Sequence, residues 1–382
     1  MSLGLIGAAT VCLILLGGGR LPSTTWTSKD WLSLILVLIF LRGAVDVLAD
    51  FSLPKLSALL GLPIVFFAAI CFADYLKATD IRRTRKAILL CASLVAFLLV
   101  FSLFFSVNIQ NYQAFPNNIF PYSEPSHFAA FLVPVLALGF FLSGAFGKII
   151  FGTALLSAAM FYPSLTMAVQ GCLLLAIFVG SHIRRSFVLP LSIAALLIPI
   201  FPIFLDSLGQ LDFFYFTDRL NFNETQNISS LVYLQGWNRA LLSLQQTTGF
   251  GVGFQNLENL SIGMYGYDLI EILGVNKNLR DGGFIAAKLV GEFGLLGVGF
   301  IILYVLVFLK TIFEVIDYAA KLPKLTLAKT PTREEQIEYQ RFIANILITF
   351  FIVELLIRGT SYFSLGVFLF WTGYSLRRST GR

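Results

Sequence analysis

The sequence predicts an all-α, polytopic membrane protein: a bundle of about eleven transmembrane helices carrying one long helical loop on its outer face. Three observations predict it. The 382 residues are 57% hydrophobic and 13% charged, whereas a soluble chain carries roughly 25% charged residues and needs them to cover its surface. A soluble enzyme, a nucleic-acid binder and a disordered scaffold are thereby excluded. Second, the apolar residues fall in runs close to the roughly 20 residues that a helical crossing requires. Third, the basic residues gather in alternate loops, as cytoplasmic loops of membrane proteins do.

The runs occupy 2–19, 31–49, 57–76, 87–107, 128–144, 149–163, 165–181, 187–205, 284–309, 342–358 and 362–376, separated by charged residues or by Pro, Gly and Asn. The first has no basic residue ahead of it and no small-x-small cleavage site behind it, so it reads as a retained helix. Numbering alternate loops places 19 of the 27 basic residues on one side, including Lys77, Arg82, Arg83, Arg85 and Lys86. The positive-inside rule makes that side cytoplasmic, with the N-terminus outside and the C-terminus inside. Segment 310–341 is then a cytoplasmic loop, and the other face carries loops 108–127 and 206–283. No internal repeat or separable soluble domain divides residues 1–382, which read as a single integral membrane domain. Cys12, Cys71, Cys91 and Cys172 all lie inside apolar runs, without metal-ligand spacing.

Loop 206–283 is far longer than an ordinary connection and too aromatic for disorder. Ser229 and Ser230 are placed to cap a helix whose Leu231, Leu234, Trp237, Leu241 and Leu244 share one face, which predicts an amphipathic interfacial helix. The glycines of Gly249-Phe250-Gly251-Val252-Gly253 lack the Lys-Ser/Thr of a phosphate-binding loop, and a tight turn accounts for them better.

Candidate chemistry rests on ionisable groups near the outer face, where charge is expensive and therefore paired or functional. Arg219, Arg239 and Arg280 are three of the four cations in a mostly acidic loop, and guanidinium forks suit a phosphate or carboxylate. The alternative is neutralisation by a neighbouring acid, Asp218 beside Arg219 and Asp281 beside Arg280. Asp281 is also placed to cap the helix that starts near Phe284, where a helix N-terminus would add to the Arg280 charge. Lys288 and Glu292, one turn apart in that helix, are expected to pair with each other.

In the first loop, Tyr122 and Glu124-Pro125-Ser126-His127 lead into the helix at Phe128. Glu124 is the one carboxylate of that loop, and a carboxylate partly removed from water can act as a general base. Serving the helix N-terminus is its bland alternative, and His127 reads as a helix-end hydrogen bonder or a proton shuttle. The i,i+4 pairs Arg42/Asp46 and Glu354/Arg358 read as braces within the bundle, with Arg358 or Arg42 also a candidate to line the site.

The order of several segments resembles Wzy-type O-antigen polymerases, within the O-antigen polymerase and ligase superfamily of bacterial inner-membrane enzymes. They are Glu124-Pro125-Ser126-His127-Phe128-Ala129, the late long loop, Trp237 and Arg239 running into Gly249-Phe250-Gly251-Val252-Gly253-Phe254, and Gly291-Glu292-Phe293-Gly294-Leu295-Leu296-Gly297. The resemblance implies a GT-C-like helical fold and a glycosyltransferase of the inner membrane whose site faces the periplasm. Such an enzyme acts on undecaprenyl-pyrophosphate-linked oligosaccharide within membrane lipid, without metal, cofactor or nucleic acid, and a chain-length regulator protein is an expected partner. Carried onto this chain, Glu124 activates the acceptor, Arg239 and Arg280 hold the pyrophosphate, and Arg219, Tyr122, His127, Trp237, Asp281 and Arg358 contact substrate. The helix after the long loop lacks the histidine of the ligase branch. The hairpin Ser164-Leu165-Thr166-Met167-Ala168-Val169-Gln170 lacks an arginine often present in the superfamily. Alternatives are a ligase or other polysaccharide polymerase using the same donor, and a transporter or flippase of lipid-linked glycans.

Overall fold

The computed structural model describes residues 31–105, 119–122, 124–162, 164–182, 228–274, 278–325, 332–359 and 361–380. Among them are twelve α-helices: α1 (Trp31–Ala49), α2 (Leu53–Ala78), α3 (Ile81–Phe104), α4 (Pro125–Leu142), α5 (Ala145–Phe161), α6 (Leu165–Gly180), α7 (Ile228–Gln246), α8 (Met264–Leu273), α9 (Ile285–Phe293), α10 (Leu295–Leu325), α11 (Arg333–Leu356) and α12 (Leu365–Thr380). A 3-10 turn, Leu257–Asn259, lies between α7 and α8. An isolated bridge from Ile119 to Tyr122 is the nearest approach to a strand among the described residues.

Six of these helices are long and apolar enough to cross a membrane: α1, α2, α3, α4, residues Leu295–Leu322 of α10, and α11. The protein is a helical multi-pass membrane protein. The expected count of eleven is not reproduced. Runs 149–163 and 165–181 form shorter apolar helices, and α12 has only 16 residues. Runs 2–19 and 187–205 lie outside the described residues. Run 284–309, expected as one crossing, is two helices that meet at Gly294, whose φ of 57° and ψ of −128° end α9. Segment 310–341, expected as a loop, is helical over 310–325 and 333–341. The restart is set locally: the Thr332 N–H donates to the Glu335 carboxylate at 2.6 Å while the Glu335 N–H donates to the Thr332 hydroxyl at 3.2 Å, a reciprocal capping box.

The exposed faces of the spans are apolar. On α1 the exposed large residues are Trp31, Leu34, Leu38, Leu41, Val45 and Leu48, and on α10 they are Leu295, Ile302, Leu306, Leu309 and Phe313. Steps of three, four or seven keep such residues on one helix face, and lipid is the medium that tolerates a continuous apolar stripe of that length. The opposite face of α1 buries Leu32, Ser33, Ile39, Gly43, Asp46 and Val47.

The chain divides into two compact units, the first of residues 1–68, 205–308 and 354–368, the second of 69–204, 309–353 and 369–382. In the second unit α3 to α6 pack together. The crossings are close because small residues permit it: a Cβ on Gly139 would lie 2.3 Å from Ala92 Cβ, and one on Gly373 would lie 2.7 Å from the Ala344 carbonyl. Side chains close the helix ends. Arg85 donates to the Leu142 carbonyl of α4 at 2.9 Å, and Gln340 donates to the Leu76 and Lys77 carbonyls at the end of α2. Glu314 accepts from Arg377 at 2.8 Å and from Asn345 at 3.0 Å, so its carboxylate is held from two helices.

In the first unit α7 packs on α8 and α9. Leu231, Val232 and Leu269 form a small core, joined by Tyr265 and Leu273. An amphipathic helix is present, but its buried face is mostly not the leucine stripe. Ser229 and Ser230 lie inside α7 rather than at its cap, and the buried residues are Ser230, Leu231, Val232, Gln235, Gly236, Arg239, Ala240 and Ser243; of the stripe Leu231 is buried and Leu241 exposed. In a membrane protein an apolar stripe can face lipid, which frees the polar face to find partners inside.

Candidate functional site

The site is built around two glycine-bearing turns that α7 and α9 hold between them. Gly249, Gly251 and Gly253 all have positive φ, as a tight turn requires. Val252 N–H donates to the Gly291 carbonyl at 3.0 Å and Gly253 N–H to the Glu292 carbonyl at 2.9 Å, closing the C-terminal turn of α9. Leu295 N–H returns the bond to the Gly249 carbonyl at 2.8 Å. The Ser243 hydroxyl donates to the Gly291 carbonyl and accepts from Val252 N–H, and the Thr247 hydroxyl accepts from Gly251 N–H. These amides face protein acceptors, so the turn is a structural clasp rather than a phosphate cradle.

Asp46 of α1 completes the clasp. Its carboxylate accepts from Phe254 N–H at 2.9 Å and pairs with Arg42 at 3.3 Å. The expected Arg42/Asp46 brace is present, and it holds a loop 208 residues away. Asp46→Ala should lower stability by about 2 kcal/mol, from an orphaned amide and an unpaired guanidinium. Asp46→Asn, which keeps an acceptor for the amide, should lose less. Equal midpoints for the two variants in detergent thermal melts would refute the anchoring role.

The second turn spans 278–283. Asn278 has a φ of 61°, and its carbonyl accepts from the Asp281 and Gly282 amides. Gly236 lets α7 approach, since a Cβ there would lie 2.3 Å from the Gly282 carbonyl. Gly282 and Gly283 both take positive φ against Lys288 and Val232. Two successive carbonyls of this turn are held by buried cations. Arg239 donates to the Leu279 carbonyl at 2.7 Å and, from its other terminal nitrogen, to the Leu257 carbonyl. Lys288 donates to the Arg280 carbonyl at 3.0 Å.

Arg239 is only 1% exposed, and burial lowers the pKa of its guanidinium from the ordinary value. Both terminal nitrogens, expected to hold the pyrophosphate, hold backbone carbonyls, and the buried Nε has no hydrogen-bond partner among the described residues. Arg280 differs, with a side chain 74% exposed and its Nε 2.5 Å from the Glu258 carboxylate. Its neutralising partner is Glu258 rather than the adjacent Asp281. Asp281 does not cap α9, whose N-cap is Phe284 without a side-chain bond. Asp281 instead lies half exposed, 3.7 Å from Lys288. The expected Lys288/Glu292 pair is present at 3.6 Å.

Glu292 is fully buried in α9, outside the spans. Burial pushes its carboxyl up to about 7, against the opposing pull of Lys288, the Tyr362 hydroxyl at 3.0 Å and the Gln255 amide. Burial, and then the Glu292 charge, raises the Tyr362 phenol well above its usual range. Sequence reasoning did not single out Tyr362; Lys288 lies 5.3 Å from its ring centroid. A tyrosine inside an apolar, glycine-punctuated segment between two helices was the available signal.

Trp237 is half-buried, edge-on to Phe284 at 5.2 Å, and Tyr233 stacks on the same ring at 4.6 Å. Arg358 lies past the end of α11 at Leu356, not within the helix with Glu354. Arg219 lies outside the described residues. The first unit thus brings together Trp237, Arg239, Arg280 and Asp281.

Tyr122, Glu124 and His127 belong to the second unit, at the start of α4. Pro125 occupies the first helical turn, as expected, and Glu124 is the N-cap itself, but its carboxylate accepts from the Ser126 hydroxyl at 3.0 Å rather than capping an amide. His127 stacks on Phe131, and Tyr122 meets Phe128 edge-on. Among the described residues no group of three His, Cys, Asp or Glu side chains is placed to hold a metal ion.

Fold and site together define a multi-pass helical membrane protein that presents an arginine on a rigid turn. No family model, curated protein or solved structure matches the chain.

Proposed function

We propose that the protein is an O-antigen polymerase of the bacterial inner membrane, GT-C-like in fold with about eleven crossings. It joins undecaprenyl-pyrophosphate-linked repeat units at the periplasmic face. The observation that carries the reading is Arg280: an exposed guanidinium, paired among the described residues with the surface carboxylate of Glu258, on a turn whose backbone is held by buried cations. The acceptor hydroxyl attacks the anomeric carbon, the bond from that carbon to the pyrophosphate oxygen breaks, and the hydroxyl proton leaves to a base. Arg280 neutralises the charge growing on the pyrophosphate. Glu124 is assigned the proton on its chemistry and on the segment it heads. Pyrophosphate leaves readily, so no acid-acting carboxylate is required.

The test is reconstitution of the purified protein with a lipid-linked repeat unit alone. Polymer growth with release of undecaprenyl pyrophosphate is the expected result, and Arg280→Ala should slow it about 100-fold, the usual loss on removing one charge-stabilising donor. Glu258→Gln frees Arg280 and should tighten donor binding by up to about fivefold, the worth of an exposed ion pair. Transfer only to a lipid A acceptor would indicate a ligase, and movement of substrate across the bilayer without elongation a flippase. Wild-type ladders from correctly inserted Arg280→Ala and Glu124→Ala proteins would overturn the site assignment.

A further inference from the structure

The turn that presents Arg280 raises a question that its own side chain does not answer: why a lysine is buried beneath it. Lys288 is 3% exposed. Burying an ammonium is unfavourable unless its donors are met, and a neutral donor would satisfy one carbonyl equally well. Lys288 reaches three acceptors from a single position: the Arg280 carbonyl at 3.0 Å, Asp281 at 3.7 Å and Glu292 at 3.6 Å. Glu292 is in turn bonded by the Tyr362 hydroxyl. Two of the three acceptors lie on the turn and the third on α9, one helical turn further along, so the lysine ties the turn to the helix beneath it. Gly282 and Gly283 have the freedom of positive φ, so the side-chain donors Lys288 and Arg239 add to the two backbone bonds on the Asn278 carbonyl in holding the turn.

We infer that Lys288 is a positioning residue for the pyrophosphate group of an isoprenoid-linked substrate, acting through Arg280, whose backbone it fixes, and touching no ligand itself. This rests on the reading of Arg280 given above. A bidentate guanidinium contact depends on geometry. Loss of the anchor should therefore weaken ground-state binding of a pyrophosphate while leaving the fold intact, provided Glu292 is neutralised as well.

Farnesyl pyrophosphate, with farnesyl monophosphate as control, serves as the probe. Its dissociation constant is measured by calorimetry on the full-length protein in detergent, and thermal midpoints are followed in parallel. Lys288→Met alone strands the Glu292 carboxylate in the core, so the informative protein is Lys288→Met/Glu292→Gln, whose glutamine still accepts from Tyr362. The expected result is binding weakened about tenfold, or 1.4 kcal/mol, with a midpoint near wild type and Glu292→Gln alone binding normally. Adding Arg280→Gln to the double variant should weaken binding no further than Arg280→Gln alone, the non-additivity expected of residues acting as one unit. In turnover the double variant should lower kcat as well as raise KM, because Arg280 acts on charge that grows in the transition state.

Additive losses, or wild-type binding by the double variant, would overturn the inference while leaving the role of Arg280 intact. Wild-type binding by Arg280→Gln would overturn both.

Discussion

Replacing Arg239 with methionine should destabilise the first unit by about 3 kcal/mol, because two buried carbonyls lose their donor and each orphaned group costs about 1–3 kcal/mol. The guanidinium joins Leu257, after the glycine clasp, to Leu279, at the start of the turn that bears Arg280. Its removal therefore releases both turns at once. Arg239→Lys, with one compact ammonium in place of a fork, can serve one carbonyl well and should fall between. Arg280→Met is the control. Its side chain is 74% exposed and ion-paired at the surface, so the change should stay within about 0.5 kcal/mol. The two arginines separate by assay: Arg239 in thermal melts and protease resistance, Arg280 in donor binding and turnover. A wild-type melting midpoint for Arg239→Met would contradict the scaffold role.

Replacing Gly294 with alanine should prevent folding of the α9–α10 junction altogether. A Cβ there would lie 1.9 Å from the Gly249 carbonyl oxygen, the atom that accepts from Leu295 N–H. The backbone values, φ 57° and ψ −128°, belong to a region that glycine alone occupies readily. Sterics and strain act together, and the three nearest atoms are all backbone, which cannot yield as a flexible side chain would. Two other glycines grade the effect. Gly274 has a φ of 69° but open space around its Cβ position, so alanine there should cost about 1–2 kcal/mol of backbone strain alone. Gly144 has ordinary extended backbone and nothing within 4 Å, and alanine there should be nearly neutral, within about 0.5 kcal/mol. Yield of monodisperse protein in detergent, followed by thermal melts of what is recovered, reads the series. Equal behaviour of Gly294→Ala and Gly274→Ala would show that the close approach to Gly249 does not matter.

Much of the helical content was legible in the sequence because it depends on run length and composition over neighbouring residues. Five runs became membrane-length helices, and a sixth such helix begins midway through run 284–309. The Arg42/Asp46 and Lys288/Glu292 pairs were legible too, since i,i+4 spacing is local. Two features were not. The apolar stripe of α7 predicted an amphipathic interfacial helix, but periodicity did not show that the polar side, with Gln235, Arg239 and Ser243, would be buried by partners distant in the chain. The other was the relation between the two glycine-rich segments. They read as separate motifs, and only folding brings Val252 and Gly253 onto the carbonyls of Gly291 and Glu292.

The division of labour among the arginines follows the same logic. Composition and patterning alone determined that this is a helical membrane protein, and that a few guanidiniums in an acidic loop are its most informative charges. Tertiary structure decided which of them a ligand can reach. Arg239 finds its carbonyl 40 residues away and is buried by that contact, whereas Arg280 is left at the surface beside Glu258. The reason is physical: helix formation is decided among near neighbours in the chain, while burial of a charge is decided by acceptors that only the folded chain delivers.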